Sequence, residues 1–124
     1  MFIIGFDISA YDLEGKEIAY LRAYMGAFRM CREQGYDWFK LIDAEDQDCG
    51  VSGCGGQKEI LLSNLRKAMK ALEEHDTQGK LADNRDGTFR DEWSYRKPLL
   101  KEFMEKCIAW CEQNKKDNIL IGFY

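Results

Sequence analysis

The chain has 124 residues, 45% of them hydrophobic and 13% aromatic, which suits one domain with a real core and argues against extended disorder. Its net charge of -4 disfavours a dedicated nucleic-acid binder and suits a basic protein as partner. No apolar run approaches the roughly 18 residues of a membrane span. The opening MFIIGFD lacks the basic segment and cleavage site of a signal peptide, so a cytoplasmic protein away from membranes is expected.

The first segment, MFIIGFDISAY, alternates. Phe2, Ile4, Phe6 and Ile8 fall on one side, as a strand requires. DLEGKE supplies a turn at Gly15, and EIAYL returns as a second, short strand. The period then changes. Leu21, Tyr24, Met25, Phe28 and Cys31 lie on one helical stripe, with Gly35 as its C-terminal stop. YDWFKLI, rich in aromatic and β-prone residues, reads as a third strand.

After an acidic, glycine-rich loop, a helix is predicted from about 57 to 74, with Leu61, Leu65, Ala68, Met69 and Leu72 as its apolar stripe. Arg66, Lys67 and Lys70 read as its solvated face. Residues 76–91 carry turn signals at Gly79 and Asp86-Gly87 and read as a mobile loop or small hairpin. A second long helix follows, with Ser94 as N-cap, Pro98 in its first turn and a stripe of Leu100, Phe103, Met104, Cys107 and Cys111. NILIGFY closes the chain as a strand.

These elements predict a single α+β domain over 1–124. It has about four strands in a mainly antiparallel sheet, two long helices on one face, and a shorter N-terminal helix beside them. The echo between IIGFD and LIGFY places a glycine among bulky residues in both terminal strands, where a helix can approach closely. The terminal strands can pair with each other. An exposed one would offer an edge for a homodimer.

The stretch DAEDQDCGVSGCGGQKE is the most unusual in the chain. Asp43, Glu45, Asp46 and Asp48 place four carboxylates within six residues. Neither register fits a calcium-binding EF-hand: counting from Asp46 puts Gln57 at the position that needs Glu, and counting from Asp43 puts Asp48 where glycine belongs. The glycines also miss the phosphate-binding P-loop pattern, since Gly56 is followed by Gln57. An irregular calcium site stays open, beside two main readings. The carboxylates are a solvated loop that complements a helix N-terminus, with Ser52 helping to cap it. Alternatively, they form a contact patch for a basic partner. The second requires them to point outward, unneutralised, on an ordered framework.

Five cysteines, an odd number in a cytoplasmic chain, argue against a disulfide framework. Cys49, Cys54, Cys107 and Cys111 are an alternative tetrahedral zinc set. Against that, Cys107 and Cys111 continue an apolar stripe and suit the core. Cys49 and Cys54 are the more reactive pair if a helix begins just after them. His75 is the only histidine, at a helix end, and no Ser-His-Asp, HExxH or CxxC pattern is present. A carboxylate enzyme would need a concave pocket around Asp7 or Asp43.

The layout of FIIGFDI, DQDCGVSGCGG before EILLSNLRKAMKAL, LLKEFMEKCIAWC and NILIGFY resembles small bacterial immunity proteins and phage-encoded inhibitors. The resemblance implies an acidic protein that blocks a partner, such as a toxin or nuclease, with no catalysis and no cofactor. The combined expectation is a non-enzymatic binding or inhibitory protein that meets a basic surface through Asp43, Glu45, Asp46 and Asp48.

Overall fold

The computed structural model describes residues 5–24, 28, 32, 35–50, 53–75 and 88–124. Its strands are β1 (Gly5–Tyr11), β2 (Glu17–Tyr24), β3 (Gly56–Leu61) and β4 (Asn118–Phe123). They form one antiparallel sheet in the order β2-β1-β4-β3. The terminal strands therefore pair with each other at the centre of the sheet, through Ile8↔Phe123, Ser9↔Gly122 and Ala10↔Ile121. The edges are β2 and β3, so neither terminal strand is an edge.

Period-two alternation sorts the sheet into two faces. Ile8 and Ala10 lie opposite Leu21 and Ala19 on one side and Phe123 and Ile121 on the other, and all six are buried. The helices cover this face. They are α1 (Trp38–Leu41), α2 (Leu62–Glu74) and α3 (Thr88–Asn114). Leu65, Ala68, Met69 and Leu72 of α2 join Leu100, Phe103, Met104, Cys107 and Cys111 of α3 in one core. At one end of the sheet, Phe28, Trp38, Phe39 and Phe123 pack as an aromatic cluster with ring centroids 5.5–6.1 Å apart. The opposite face carries Asp7, Tyr20, Arg22 and Tyr124, all at least partly exposed.

The α+β class, the antiparallel four-stranded sheet and the two long helices agree with the sequence. Several boundaries do not. YDWFKLI contains a helix rather than a strand, because the Asp37 side chain accepts from the Lys40 N–H and caps the single turn of α1. The third strand in chain order is instead GQKEIL, and the long helix starts at Leu62, not near 57. Leu61 accordingly stands 48% exposed at the end of β3, and Leu62 takes its place in the core. β2 runs on to Tyr24, so Leu21 packs from a strand. Phe28 and Arg32 are helical, whereas Met25 and Cys31 of the predicted stripe lie outside the described residues.

α3 begins at Thr88, which puts Ser94 and Pro98 inside the helix rather than at its start. The loop predicted over 76–91 thus loses its last four residues to α3, and 76–87 lie outside the described residues, as do Phe2, Ile4 and Ser52. Gly122 makes room for a ring, not a helix. A Cβ there would overlap the Tyr124 side chain on the face away from the helices.

Candidate functional site

The acidic segment runs from the end of α1 to the start of β3. Ile42 closes α1, and Asp43 follows at φ 59°, a left-handed conformation that aspartate tolerates better than most residues. Ala44 is fully buried and tethers the segment to the core, its N–H donating to the Phe39 carbonyl at 2.7 Å. Glu45–Gln47 form a single 3-10 turn. The chain then makes a tight hairpin, closed by a bridge between Asp48 and Gly53 and by a disulfide between Cys49 and Cys54, with Cα atoms 5.2 Å apart. The expectation of no disulfide and of two reactive thiols is overturned here. The spacing of five residues with glycines between is short enough to close across one hairpin.

This hairpin is docked on the last strand. The Gly55 N–H donates to the Phe123 carbonyl at 2.7 Å. Gly53 is buried against the same carbonyl, where a Cβ would overlap Phe123 backbone atoms. Gly50 supplies a left-handed φ of 99°, and its N–H donates to Asp48 Oδ1 at 3.0 Å. The acidic loop is therefore ordered by three separate devices: a buried alanine, a disulfide, and backbone docking on β4.

The four carboxylates divide into two kinds. Asp48 is mostly buried, at 14% side-chain exposure, and its Oδ2 accepts from Arg32 at 3.0 Å. Asp46 is 62% exposed and pairs with Lys58 of β3 at 2.7 Å. The Lys58 ammonium holds the Asp46 carboxyl below its usual range. Asp43 and Glu45 are exposed, and among the described residues neither enters an ion pair. The outward, unneutralised geometry required of a contact patch is met by Asp43 and Glu45. Asp46 and Asp48 are engaged inside the fold by Lys58 and Arg32.

The loop does not sit at a helix N-terminus. α2 starts after the whole of β3, and its Leu62 N–H donates to the Asp117 carbonyl at 2.7 Å. Helix-dipole complementarity is thus not what the carboxylates supply.

The other candidates fall in separate places. Cys107 and Cys111 are fully buried in the core, while Cys49 and Cys54 are bonded to each other at the exposed loop. The four cysteines do not converge, and no group of three or more His, Cys, Asp or Glu able to hold a metal exists among the described residues. Burial pushes the Cys107 thiol up to about 12 and raises that of Cys111.

Asp7 lies on the open sheet face, where it accepts from the Tyr20 hydroxyl at 2.5 Å and from Arg22 at 3.0 Å. The Tyr20 hydrogen bond first, and the Arg22 guanidinium second, hold its carboxyl below the ordinary range. A general acid needs the opposite shift. His75 lines a cavity of about 530 Å³ with Arg32, Tyr36, Asp37, Lys40 and Glu74, and its ring centroid is 5.9 Å from that of Tyr36.

No protein-family model, curated protein or solved structure matches the chain. No helix among the described residues is long and apolar enough to cross a membrane.

Two parts of the site were not anticipated from sequence. Lys58 falls within the helix predicted from about 57, and its partnership with Asp46 depends on β3 being a strand. The docking of the hairpin on Phe123 joins residues 68 to 70 positions apart, a separation at which sequence spacing carries no signal.

Proposed function

We propose that the protein is a non-enzymatic binding or inhibitory protein, of the immunity-protein kind, that grips a basic partner through its acidic loop. The observation that carries this reading is the disulfide-closed hairpin docked on β4, which orders the adjoining turn where Asp43 and Glu45 project. A pre-ordered loop loses little conformational entropy on binding, and charged groups on a rigid frame give specificity and fast association. In this reading Asp43 and Glu45 make the direct contacts and the exposed flank of Asp46 adds to the field. Asp48 acts as the internal anchor to Arg32. The loop adjoins β3 and leaves the β2 edge clear.

The test is affinity capture with the tagged full chain from cells of its own source, in wild-type form and as Asp43→Asn with Glu45→Gln. These substitutions spare both internal ion pairs, so the loop framework is unaltered. A basic protein retained by the wild type at low salt, and released both by the variant and by high salt, is the expected result. Equal retention by the two forms, or capture of no basic protein at all, would remove the proposal.

A further inference from the structure

β2 is an edge strand, paired on one side with β1 and, among the described residues, with nothing on the other. A bare edge is a template for another strand unless it is blunted or covered. One end of β2 is blunted. Ala10 pairs with Ala19 but Tyr11 pairs with Glu17, so Ile18 is an extra residue that bulges the strand. Regular pairing therefore resumes at Ala19 and continues through Tyr24. Leu21 and Arg22 are the middle of that run, and a groove of about 370 Å³ lies beside them, lined by Tyr20, Leu21, Arg22 and, from α3, Leu99, Glu102 and Lys106.

We propose that two copies of this chain associate through β2, antiparallel, with the two-fold axis at Leu21 and perpendicular to the sheet, giving one continuous eight-stranded sheet. The faces fix the kind of register. For the buried face of one copy to continue into that of the other, opposed residues must share a face, which places the axis on a residue rather than between two.

Charge then selects which residue. An axis at Arg22 sets Arg22 against Arg22, a like-charge pair. An axis at Tyr20 sets the Ile18 bulge against Arg22. An axis at Leu21 pairs Ala19 with Ala23 and Tyr20 with Arg22, sets the Ile18 bulge only against Tyr24 at the last position of β2, and brings no like charges together. The helices agree with this choice. The same axis makes the two copies of α3 antiparallel at the groove, so Glu102 of one copy faces Lys106 of the other, and the reverse. Within one chain these two side chains are 3.1 Å apart and each is 59% exposed, so both are open to a second partner. The surface is self-complementary in charge, as a two-fold interface requires. The inference is independent of the acidic-loop reading, since it uses the opposite edge of the sheet.

Sedimentation equilibrium on the full chain, across a roughly hundredfold range of concentration, reads the assembly directly. The expected outcome is a reversible monomer–dimer equilibrium. Glu102→Lys sets Lys against Lys twice across the axis and should weaken dimerisation roughly tenfold at low salt. Adding Lys106→Glu to it should restore the wild-type constant, because the swap regenerates both pairs. Circular dichroism confirms that each variant is folded, and Lys106→Glu alone is the substitute if Glu102→Lys is not. A monomer at every concentration overturns the proposal. So does a dimer whose constant is unmoved by the single substitution or not recovered by the swap.

Discussion

Gly53 and Phe123 are in backbone contact: the buried glycine lies so close to the Phe123 carbonyl that no side chain fits between them. The same carbonyl accepts the Gly55 N–H at 2.7 Å. The acidic hairpin is therefore part of the packed structure at the end of β4, and not a free loop. Gly53→Ala should force the hairpin off β4 and cost about 1–3 kcal/mol in urea denaturation. Amide exchange should accelerate at Gly55 more than in α2. Unchanged protection at Gly55 would show that the docking is incidental.

The disulfide constrains the same hairpin. Cys49 and Cys54 are five residues apart, and closing so short a loop contributes about 2 kcal/mol in the chain-entropy account. Replacing both by serine should lower stability by up to that amount while leaving the sheet and core intact. If the loop contacts a basic partner, the same variant should bind more weakly mainly through faster dissociation, because its frame is looser. Thermal unfolding in the presence and absence of reductant checks the first point. A wild-type melting point insensitive to reductant would contradict it.

The parts of the fold that were legible in the sequence are those set by long, regular periodicity. Leu65, Ala68, Met69 and Leu72, and Leu100, Phe103, Met104, Cys107 and Cys111, mark their helices by spacing alone, and all are buried. Short apolar runs are less informative, because local capping outweighs propensity. YDWFKLI has strand-like composition, but Asp37 caps a helical turn, and the aromatic cluster with Phe28 and Phe123 holds it. GQKEIL merges with the pattern of the following helix because only Ile60 is fully buried in it, too weak an alternation to declare a strand. The acidic cluster itself was plain. Which carboxylates stay outward was not, since it depends on Lys58 and Arg32, brought in from other elements.

Two carboxylates make the stability of the fold sensitive to acid. The carboxyls of Asp7 and Asp46 are both held below the ordinary carboxylate range, by hydrogen bonds from Tyr20 and Lys58 respectively. A folded-state value below the unfolded one adds stability that is present above the unfolded value and fades as pH falls through the folded one. The window for loss therefore opens near pH 4 and extends downward. Both side chains are more than a third exposed, so solvent screening keeps the effect small. Denaturation of wild type and Asp7→Asn at neutral pH and at about pH 2.5 should show a difference that shrinks in acid. A gap of constant size would mean that the Asp7 charge is not what matters.

Cys107 and Cys111 should behave as core side chains and not as chemistry. Both are fully buried one helical turn apart, among Leu65, Leu72, Phe103 and Met104. The Cys107 thiol, raised to about 12, is ionised in only about one molecule in ten thousand at pH 8, and the thiolate is the form that reacts. Alkylation of the native protein at that pH should leave both residues unmodified by peptide mapping, whereas denaturant should expose them to rapid labelling. Cys107→Ala removes one small buried group from a closely packed site and should cost about 1 kcal/mol, while Cys107→Ser, which buries a hydroxyl, should cost more. Rapid native-state labelling of either cysteine, or a serine variant as stable as the alanine one, would show that this part of the core is open to water.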